Sequence, residues 1–266
     1  MRPALSVIVP VYNEADRISA TIARLAGYLG PRCHFELLVV DDGSQDGTGR
    51  LVQQAMAGLP ELALLTLSQH AGKGAAVREG LLRAEGEVVA FCDADLSVPV
   101  EELETLLHVL GGACDMAVAS RAMPESVIIG SPGLIRQGLS RLFNLLVRAL
   151  FGLPFRDTQC GFKGFRREAA QAIAGRARLN GFVCDVELLI LADRLSYRIG
   201  EIPVRYVHGR SSSVRLLAHA GEVLADLCRL WLLLRGRGYQ LPSPITHGER
   251  SPEPAAVADE DRPRDA

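Results

Sequence analysis

Five short apolar runs alternate with helix-patterned stretches through the first 120 residues, and this alternation constrains the fold more than any other feature of the chain. The runs are rich in Val, Ile and Leu, as expected of strands buried on both faces. They lie at 5–11, 35–42, 62–67, 87–95 and 115–120, and spaced apolar residues between them predict helices at 14–28, 46–57, 74–85 and 99–110. Strand, helix, strand in this order predicts an α/β fold with a mainly parallel sheet and helices on both faces.

Charge and cysteine content exclude several classes of protein. With 29 basic and 31 acidic residues, the net charge of -2 gives no overall attraction for nucleic acid, so no nucleic-acid partner is expected. The six cysteines are scattered without a CxxC pair, which favours reduced thiols in the cytoplasm over zinc or redox chemistry. No signal peptide and no membrane span is expected, because no apolar stretch reaches about 18 residues.

The stretch VVAFCDADLS, residues 88–97, ends an apolar run with two carboxylates, Asp93 and Asp95, on either side of Ala94. Two like charges at this spacing repel each other unless a cation lies between them. A divalent ion with a preference for oxygen ligands, accompanied by phosphate groups, is the simplest candidate. In an open parallel sheet the ligand binds at the carboxyl ends of the strands, where this pair is predicted to lie.

Two further motifs follow predicted strands. VVDDGSQDGT, residues 39–48, places Asp41 and Asp42 where a carboxylate can accept hydrogen bonds from a base or a ribose, whereas Asp46 is interpreted as a turn or capping residue. QHAGKGAAVREG, residues 69–80, places Lys73 just before a helix, an arrangement that can present backbone N–H groups and a cation to phosphate. An ordinary helix start with a solvent-facing lysine is an equal alternative.

Taken in order, SVIVPVYNE, VVDDGSQDGT, GKGAAVREG, DAD and the Ser120-Arg121 pair resemble the GT-A glycosyltransferases of family 2. DTQCGFKGF (157–165), FVCDVELL (182–189) and EIPVRYVH (201–208) are similar to the polyprenyl-phosphate and dolichyl-phosphate sugar synthases, in the dolichyl-phosphate β-glucosyltransferase and dolichol-phosphate mannosyltransferase branch. The resemblance covers residues 4 to about 215. Two positions depart from it: His70 replaces a common Asn, and Ser97 replaces a metal-associated Gln of the mannosyltransferases.

The resemblance implies a GT-A domain with a nucleotide-sugar-binding half at 1–120 and an acceptor-binding half at 121–212. The residue pattern beyond this domain predicts an amphipathic helix at 213–240 and a disordered tail, rich in Pro and charge, at 241–266. The resemblance also implies that Asp93 and Asp95 hold Mg or Mn and that Arg121 and Arg136 bind the acceptor, which makes these four the predicted catalytic residues. The predicted donor-binding set is Pro10, Tyr12, Glu14, Asp41, Asp42, Lys73, Asp93, Ala94 and Asp95. Further pocket residues are Asp157, Gln159, Lys163, Asp185 and Glu187. Arg205, Arg210 and Arg215 extend a basic rim or are solvated surface charges.

The implied reaction is an inverting transfer of glucose from a UDP sugar to polyprenyl or dolichyl phosphate, giving a β-linked lipid-phosphate sugar. A lipid phosphate is already ionised near neutral pH, so it can attack without a general base. GDP-mannose and UDP-N-acetylhexosamine remain alternative donors. A different reaction, transfer to a saccharide hydroxyl by a soluble glycosyltransferase with Asp185 or Glu187 as base, is also compatible with these residues, as is a non-catalytic nucleotide-sugar-binding subunit.

Two amphipathic stretches predict contact with the cytosolic face of a membrane. In residues 136–155, Gln137, Arg141, Asn144 and Arg148 form a narrow polar stripe on an otherwise apolar helix. Residues 215–239 predict a second helix with one apolar face and arginines near its end. Such helices lie in the headgroup layer and bind peripherally. The alternatives are packing on the domain core, a homo-oligomer contact or a membrane-protein partner.

Overall fold

The computed structural model describes residues 2–130, 133–208, 220–236 and 238–239. Its main sheet has seven strands in the order β3-β2-β1-β4-β7-β5-β8, with β7 antiparallel to both of its neighbours. The strands of this sheet are β1 Leu5–Val11, β2 Phe35–Asp41, β3 Leu62–Thr66, β4 Val88–Cys92, β5 Met116–Ser120, β7 Phe162–Arg166 and β8 Ile199–Pro203. A separate parallel pair is formed by β6 Val127–Ile129 and β9 Arg205–Val207.

Eight α-helices are found among the described residues. They are α1 Ile18–Leu29, α2 Thr48–Met56, α3 Lys73–Arg83, α4 Leu103–Gly111 after a 3₁₀ turn at Val100–Glu102, α5 Leu134–Phe151, α6 Arg167–Ala174, α7 Cys184–Arg194 and α8 Ala220–Arg235. The five predicted strands and four predicted helices of the first 120 residues are all present, so the predicted α/β fold is confirmed. The predicted tail at 241–266, together with Arg210 and Arg215, lies outside the described residues.

Two of the predicted boundaries that differ from the structure shape the carboxyl edge of the sheet. The helix predicted from residue 14 begins at Ile18, because the Glu14 carbonyl accepts hydrogen bonds from the Arg17 and Ile18 amides in a preceding turn. The strand predicted to reach residue 95 ends at Cys92, the last residue of β4 paired with β7, and the chain then turns, with the Leu96 amide donating to the Asp93 carbonyl. Both changes shorten regular structure at the carboxyl edge of the sheet.

Each face of the sheet is covered by its own apolar core. Within β1, Val7 and Val9 belong to one cluster and Ile8 to the other, as the alternation of strand side chains requires. Residues of α1 and α4 pack on the first face, and residues of α3, α6, α7 and α8 pack on the second. Burial on both faces explains why the strands read as continuous apolar runs.

The sheet has a switch point beside β1. The chain passes from β1 to β2 on one side, and after β3 it returns to β4 on the other side. Ligands of open α/β sheets bind in the crevice that forms at the carboxyl ends of strands at such a point. Tyr12, Asp42 and Asp93 follow these three strands directly, so the topology places the predicted motifs on one edge.

The helices outside the sheet differ from the predicted ranges. α5 runs from Leu134 to Phe151 and ends at Gly152, whose positive φ of 69° takes the chain out of the helix. The last helix, α8, begins at Ala220 and ends at Arg235 within the described residues. In the part of the chain that the structure describes, no helix has the length and hydrophobicity that a membrane span needs.

Candidate functional site

The loops after β1 and β2 are joined by hydrogen bonds to side chains. The Asn13 amide donates to Ser44 Oγ at 2.8 Å, and the Gln45 amide donates to Asn13 Oδ1 at 2.9 Å. Asn13 takes a positive φ of 54°, a conformation that Asn tolerates better than most residues. Asp41 is buried and accepts from the Ser44 amide at 2.9 Å, so its carboxylate fixes the turn that begins the second loop.

The second carboxylate, Asp42, holds the loop that precedes α3. Its two oxygens accept from the Ala71 amide at 2.7 Å and the Gly72 amide at 2.8 Å, and one of them lies 2.7 Å from His70 Nδ1. The group is almost fully buried. Both carboxylates of the DD motif therefore fix loops at the carboxyl edge of the sheet.

His70, which replaces the Asn common at this position of the resembled family, stacks on Tyr12. The ring centroids are 3.8 Å apart with an interplanar angle of 20°. Both side chains remain substantially exposed at the crevice. Pro10, the other predicted residue of this strand, lies within β1 opposite Val40.

Glu14 and Asp46 link the β1 loop to α2. The Glu14 amide donates to Thr48 Oγ1 at 2.9 Å, and Asp46 accepts from the Ala15 amide and from the Thr48 amide, each at 3.0 Å. The interpretation of Asp46 as a turn residue is confirmed by these bonds. The pKa of Glu14 is raised, mainly by burial and further by the charges of Asp95, Asp46 and Asp93. The nearby Arg17 guanidinium offsets part of this increase.

Three backbone amides at the start of α3 and in the loop before it donate to other parts of the protein. The Gly74 amide donates to the Asn180 carbonyl at 2.6 Å, and the amides of Ala71 and Gly72 are taken by Asp42. A Cβ at Gly72 or at Gly74 would lie 2.4 Å from a backbone oxygen of the 179–180 segment. The glycines therefore allow close packing, and the prediction that this loop offers its N–H groups to phosphate is wrong for these three amides.

Lys73 is the cation of this loop, and its ammonium lies between two carboxylates. Nζ is 2.9 Å from Asp93 Oδ1 and 3.4 Å from Asp185 Oδ2. Burial lowers the pKa of Lys73, but the two carboxylates outweigh burial and hold it well above its usual value. The alternative of an ordinary solvent-facing lysine is therefore wrong.

Asp93 and Asp95 both follow β4, but their environments differ. Asp95 is exposed and accepts only the Ser97 amide among the bonds described, at 2.9 Å, whereas the Asp93 side chain is 44% exposed and pairs with Lys73. Ala94 is buried, and its carbonyl accepts from Thr21 Oγ1 of α1 at 2.6 Å, which anchors the turn. A small pocket lined by Asp93, Ser97, Gly161 and Tyr206 opens beside the pair.

A buried ion pair lies behind this turn. Lys163 Nζ donates to Asp185 Oδ1 at 2.5 Å and to the Cys160 carbonyl at 2.6 Å, and the lysine side chain is 1% exposed. Burial raises the pKa of Asp185, but the ammonium groups of Lys163 and Lys73 lower it below its usual value. Asp185 is consequently an ionised link between the two lysines.

A second ion pair joins Arg121 to Asp157. The Arg121 guanidinium donates from Nε at 2.6 Å and from Nη2 at 2.9 Å to the two oxygens of Asp157, whose side chain is 2% exposed. Burial raises the pKa of Asp157, but the guanidinium outweighs burial and lowers it. The guanidinium also lies 5.2 Å from the centre of the Tyr206 ring. Arg121 thus presents one edge to Asp157 and lies over an aromatic ring.

The remaining predicted residues are placed as follows. Gln159 follows Asp157, and its Nε2 is buried without a hydrogen-bond partner among the described residues. Glu187 is buried and accepts from the Arg178 amide at 2.7 Å, the Leu179 amide at 2.9 Å and the Tyr239 hydroxyl. Arg205 is exposed and pairs with Glu102 at 3.0 Å. Arg136 lies in α5, and its side chain is outside the described part of the structure.

Gly161, Tyr206 and Tyr239 belong to this region but were not predicted from the sequence to lie here. A Cβ at Gly161 would lie 2.0 Å from Asp93 Oδ2, so only glycine leaves room for that carboxylate. Tyr206 lines the pocket, and Tyr239 bonds Glu187 from beyond α8. The Gly of DTQCGFK was a visible signal, because an isolated glycine before a strand often marks a close approach. The two tyrosines gave no signal, since their contacts join distant parts of the chain.

The carboxylates of Asp93 and Asp95 are chemically suited to bind a divalent metal ion. Carboxylate oxygens suit Mg and Mn, and Asp95 is exposed with one oxygen outside its hydrogen bond to Ser97. Among the described residues, no group of three or more metal-binding side chains occurs. Two carboxylates with further oxygens from a bound diphosphate would complete the ligand set that such ions prefer.

Residues 6–174 match the model of glycosyl transferase family 2. The chain belongs to this family. It is 32% identical over 210 residues to a dolichyl-phosphate beta-glucosyltransferase of Trichomonas vaginalis, covering 75% of this chain and 62% of that protein. It is 34% identical over 224 residues to the human dolichyl-phosphate beta-glucosyltransferase, covering 79% and 69% of the two chains. A glycosyltransferase of Haloferax volcanii, AglD, is 31% identical over 88% of this chain, which spans 38% of that longer protein.

Solved structures agree on the fold. Glucosyl-3-phosphoglycerate synthase from Mycobacterium tuberculosis, in complex with Mn²⁺, UDP and glucosyl-3-phosphoglycerate, superposes with a TM-score of 0.64 at 20% identity and covers 86% of this chain and 80% of its own. A mannosyltransferase of Pyrobaculum calidifontis, in complex with GDP-Man and Mn²⁺, gives a TM-score of 0.57 at 21% identity over 91% and 66%. The predicted family 2 membership and GT-A architecture are confirmed.

Proposed function

We propose that the protein transfers glucose from UDP-glucose to dolichyl or polyprenyl phosphate, with inversion, at the cytosolic face of a membrane. The observation that carries this proposal is the similarity to dolichyl-phosphate beta-glucosyltransferases from several eukaryotes, at 30–35% identity over 75–86% of the chain. The chain spans 62% of the Trichomonas relative named above. The donor sugar, the lipid and the location are therefore inferred for this chain from that similarity.

The state of the buried carboxylates supports an acceptor that is already ionised. A sugar hydroxyl needs a base beside the reacting carbon, and Asp185 and Glu187 were the candidates for that role. Both oxygens of Asp185 are paired with ammonium groups, which outweigh burial, lower its pKa and make it a weaker base, and Glu187 accepts two backbone amides and a tyrosine hydroxyl. A phosphate monoester has a second pKa near ~6, so it needs no such base near neutral pH.

The donor in this proposal lies at the carboxyl edge of β1, β2 and β4. Asp93 and Asp95 hold Mg or Mn, which when bound neutralises the charge that builds on the departing diphosphate. Tyr12 and Glu14 line the nucleotide side, and Lys73 contacts the diphosphate. Asp41 and Asp42 serve the donor through the loops that they fix, as their hydrogen bonds indicate.

The acceptor phosphate in this proposal is bound by Arg121 and Arg136. The bidentate pair with Asp157 uses Nε and Nη2 of Arg121, so the guanidinium is oriented before the lipid arrives. Gln159 belongs to the same loop and carries the buried amide nitrogen described above. The sugar is attacked from the side opposite the leaving group, which converts an α-linked donor into a β-linked product.

Exposed leucines on α5 support a peripheral membrane contact. Leu142 and Leu145 are 62% and 64% exposed, and Leu146 and Leu150 are also exposed. Val147 is buried on the opposite side of the helix. Asn144, predicted to belong to the polar stripe of this helix, instead faces the domain, where its Oδ1 accepts from the Thr158 amide and hydroxyl. A helix that presents leucines to solvent and is attached to the catalytic domain by its other face suits the headgroup layer.

A transfer assay with purified full chain tests the proposal. UDP-glucose and Mn²⁺ are incubated with dolichyl phosphate in detergent or with a free oligosaccharide, and the products are identified by mass spectrometry. We expect a hexosyl phosphate lipid and no elongated oligosaccharide. Turnover with the oligosaccharide alone would overturn the proposal, and donor competition with GDP-mannose and UDP-N-acetylglucosamine decides the sugar. Binding of donor without any transfer would favour a non-catalytic subunit.

A further inference from the structure

The chain has only two lysines among its 29 basic residues, and the ammonium groups of both contact the carboxylate of Asp185. Lys163 Nζ is 2.5 Å from Asp185 Oδ1, and Lys73 Nζ is 3.4 Å from Asp185 Oδ2. Every other residue of this basic set is arginine. In a chain that otherwise uses guanidinium groups, this convergence indicates that the location requires ammonium groups.

The geometry explains that requirement for Lys163. Its side chain is 1% exposed, and its described partners are the Cys160 carbonyl and Asp185. An ammonium has three donors in a compact head, whereas a guanidinium has five donors in a planar fork. Five buried donors would exceed the acceptors around Lys163. The Lys163–Asp185 pair is therefore a compact, fixed support within the core.

Lys73 extends from this support to the predicted metal site. Its ammonium is 2.9 Å from Asp93 Oδ1 while it remains close to Asp185. A cation on an oxygen of Asp93 opposes the binding of a second cation at the same carboxylate. A diphosphate beside the metal attracts the ammonium away from Asp93. The same lysine thus disfavours metal binding alone and favours metal binding together with a nucleotide.

We propose that Lys73 is the counter-ion of Asp93 in the nucleotide-free protein, so that divalent metal binds strongly only together with the nucleotide diphosphate. The Lys163–Asp185 pair is the positioning element that keeps the Lys73 ammonium within reach of both partners. This inference rests on the proposed function, because it takes Asp93 and Asp95 as the metal ligands. It adds a binding order that the two carboxylates by themselves do not impose.

Manganese binding in the absence of nucleotide tests the inference. The full chain is titrated with Mn²⁺, and the free ion is measured by electron paramagnetic resonance for the wild type, Lys73→Met and Arg83→Met. Arg83 is exposed on the same helix, so its variant controls for the loss of one charge. We expect Lys73→Met to bind Mn²⁺ about tenfold more tightly than both others. Equal or weaker binding by Lys73→Met, or no Mn²⁺ binding by any of the three proteins, would overturn the proposal.

A second arm follows the ammonium groups directly. Protein labelled with ¹⁵N-lysine gives side-chain signals from two lysines, and Lys73→Met assigns them. Addition of UDP without metal is expected to shift the Lys73 signal and to leave the Lys163 signal in place. An unshifted Lys73 signal at UDP concentrations that saturate binding by calorimetry contradicts the proposal.

Neither arm needs a lipid acceptor or turnover. A protein that shows the predicted Mn²⁺ and NMR behaviour but transfers no sugar to lipid phosphate would refute the proposed function and leave this inference standing. A protein that makes the lipid product but binds Mn²⁺ equally with and without Lys73 would refute this inference alone. The two failures are therefore distinguishable.

Discussion

Four carboxylates of the site region lie in two opposite environments. Asp93 and Asp95 follow β4, whereas Asp157 precedes β7 and Asp185 lies in α7. Asp95 is exposed and Asp93 is 44% exposed, whereas Asp157 and Asp185 are both almost completely buried. The buried pair are matched by arginine and lysine at hydrogen-bond distance, and Asp95 has no cation beside it among the ion pairs described. The difference separates carboxylates that a ligand could reach from carboxylates that are fixed in buried ion pairs.

Removing the exposed carboxylate is expected to have the largest effect on activity. Asp95→Ala should lower kcat/KM by roughly a thousandfold or more, because a metal contributes several kcal/mol of charge stabilisation in the transition state. The melting temperature should change little, since Asp95 is exposed and makes one described hydrogen bond. Kinetics and circular dichroism on the same sample measure both. A fully active Asp95→Ala protein would contradict the proposal that the exposed carboxylates are the ones that act in catalysis.

Removing a buried carboxylate is expected to damage stability as well. Asp157→Asn leaves the Arg121 guanidinium without its ionised partner and should cost about 3 kcal/mol of unfolding free energy near pH 7. The pKa of Asp157 is lowered in the fold, so its contribution is present above the usual value of 3.8 and is lost as pH falls further. Urea unfolding at pH 7 and near pH 3 measures this.

The wild type and Asp157→Asn should therefore approach each other in stability as the pH falls. Asp16→Asn provides a comparison, because Asp16 is an exposed carboxylate of the β1 loop that has no ion pair among those described, so its stability difference from the wild type should change little with pH. A stability difference between the wild type and Asp157→Asn that stays constant down to pH 3 would refute the charge pairing.

A smaller change tests whether the exposed carboxylates depend on the buried side for their position. In Gly161→Ala the new methyl would lie 2.0 Å from Asp93 Oδ2, so the carboxylate must move. A displacement of about 1 Å at a catalytic group can cost roughly a hundredfold in rate. Gly27→Ala is the matched control, because a Cβ there meets nothing within 4 Å. Equal kcat/KM for the two variants would show that Asp93 tolerates displacement.

The smallest expected effect concerns the segment after α8. Tyr239→Phe removes the hydroxyl that donates to buried Glu187 and should cost about 1 kcal/mol of unfolding free energy. Tyr28→Phe is the control, because its hydroxyl donates to Glu104 at an exposed site. We expect a smaller loss for Tyr28→Phe in urea unfolding. A larger loss of unfolding free energy in Tyr28→Phe than in Tyr239→Phe would mean that the Tyr239 hydroxyl does not stabilise the buried carboxylate of Glu187.

The residues on both sides of this comparison could be named from the sequence, but the pairing of the buried charges could not be predicted. Asp93, Asp95 and Lys73 lie in local motifs at strand ends, where the topology of an α/β sheet predicts a ligand. The strands that carry them were found from apolar runs alone. By contrast, the partner of Asp157 is 36 residues away, and that of Asp185 is 22 residues away. Sequence order gives no information about which distant charges meet.

The same limit applies to the roles of individual residues. Asp42 was predicted to contact a nucleotide, but the structure shows its oxygens bonded to the loop of residues 70–72. Glu187 was considered as a base, but its oxygens accept backbone amides. At both positions the residue type indicated a functional region, but the hydrogen-bond partner could not be predicted. Those partners are backbone amides of another loop, and a sequence pattern does not show which backbone amides lie near a side chain.

The acceptor decides the central claim most directly. Initial rates of transfer from UDP-glucose are measured with dolichyl phosphate and with dolichol, which has the same chain and a hydroxyl in place of the phosphate. We expect transfer to dolichyl phosphate and none above background to dolichol, because the alcohol would need a base. The oxygens of Asp185 are already paired with two lysine ammonium groups, and those of Glu187 accept backbone amides and the Tyr239 hydroxyl. Comparable transfer to dolichol would contradict the central claim.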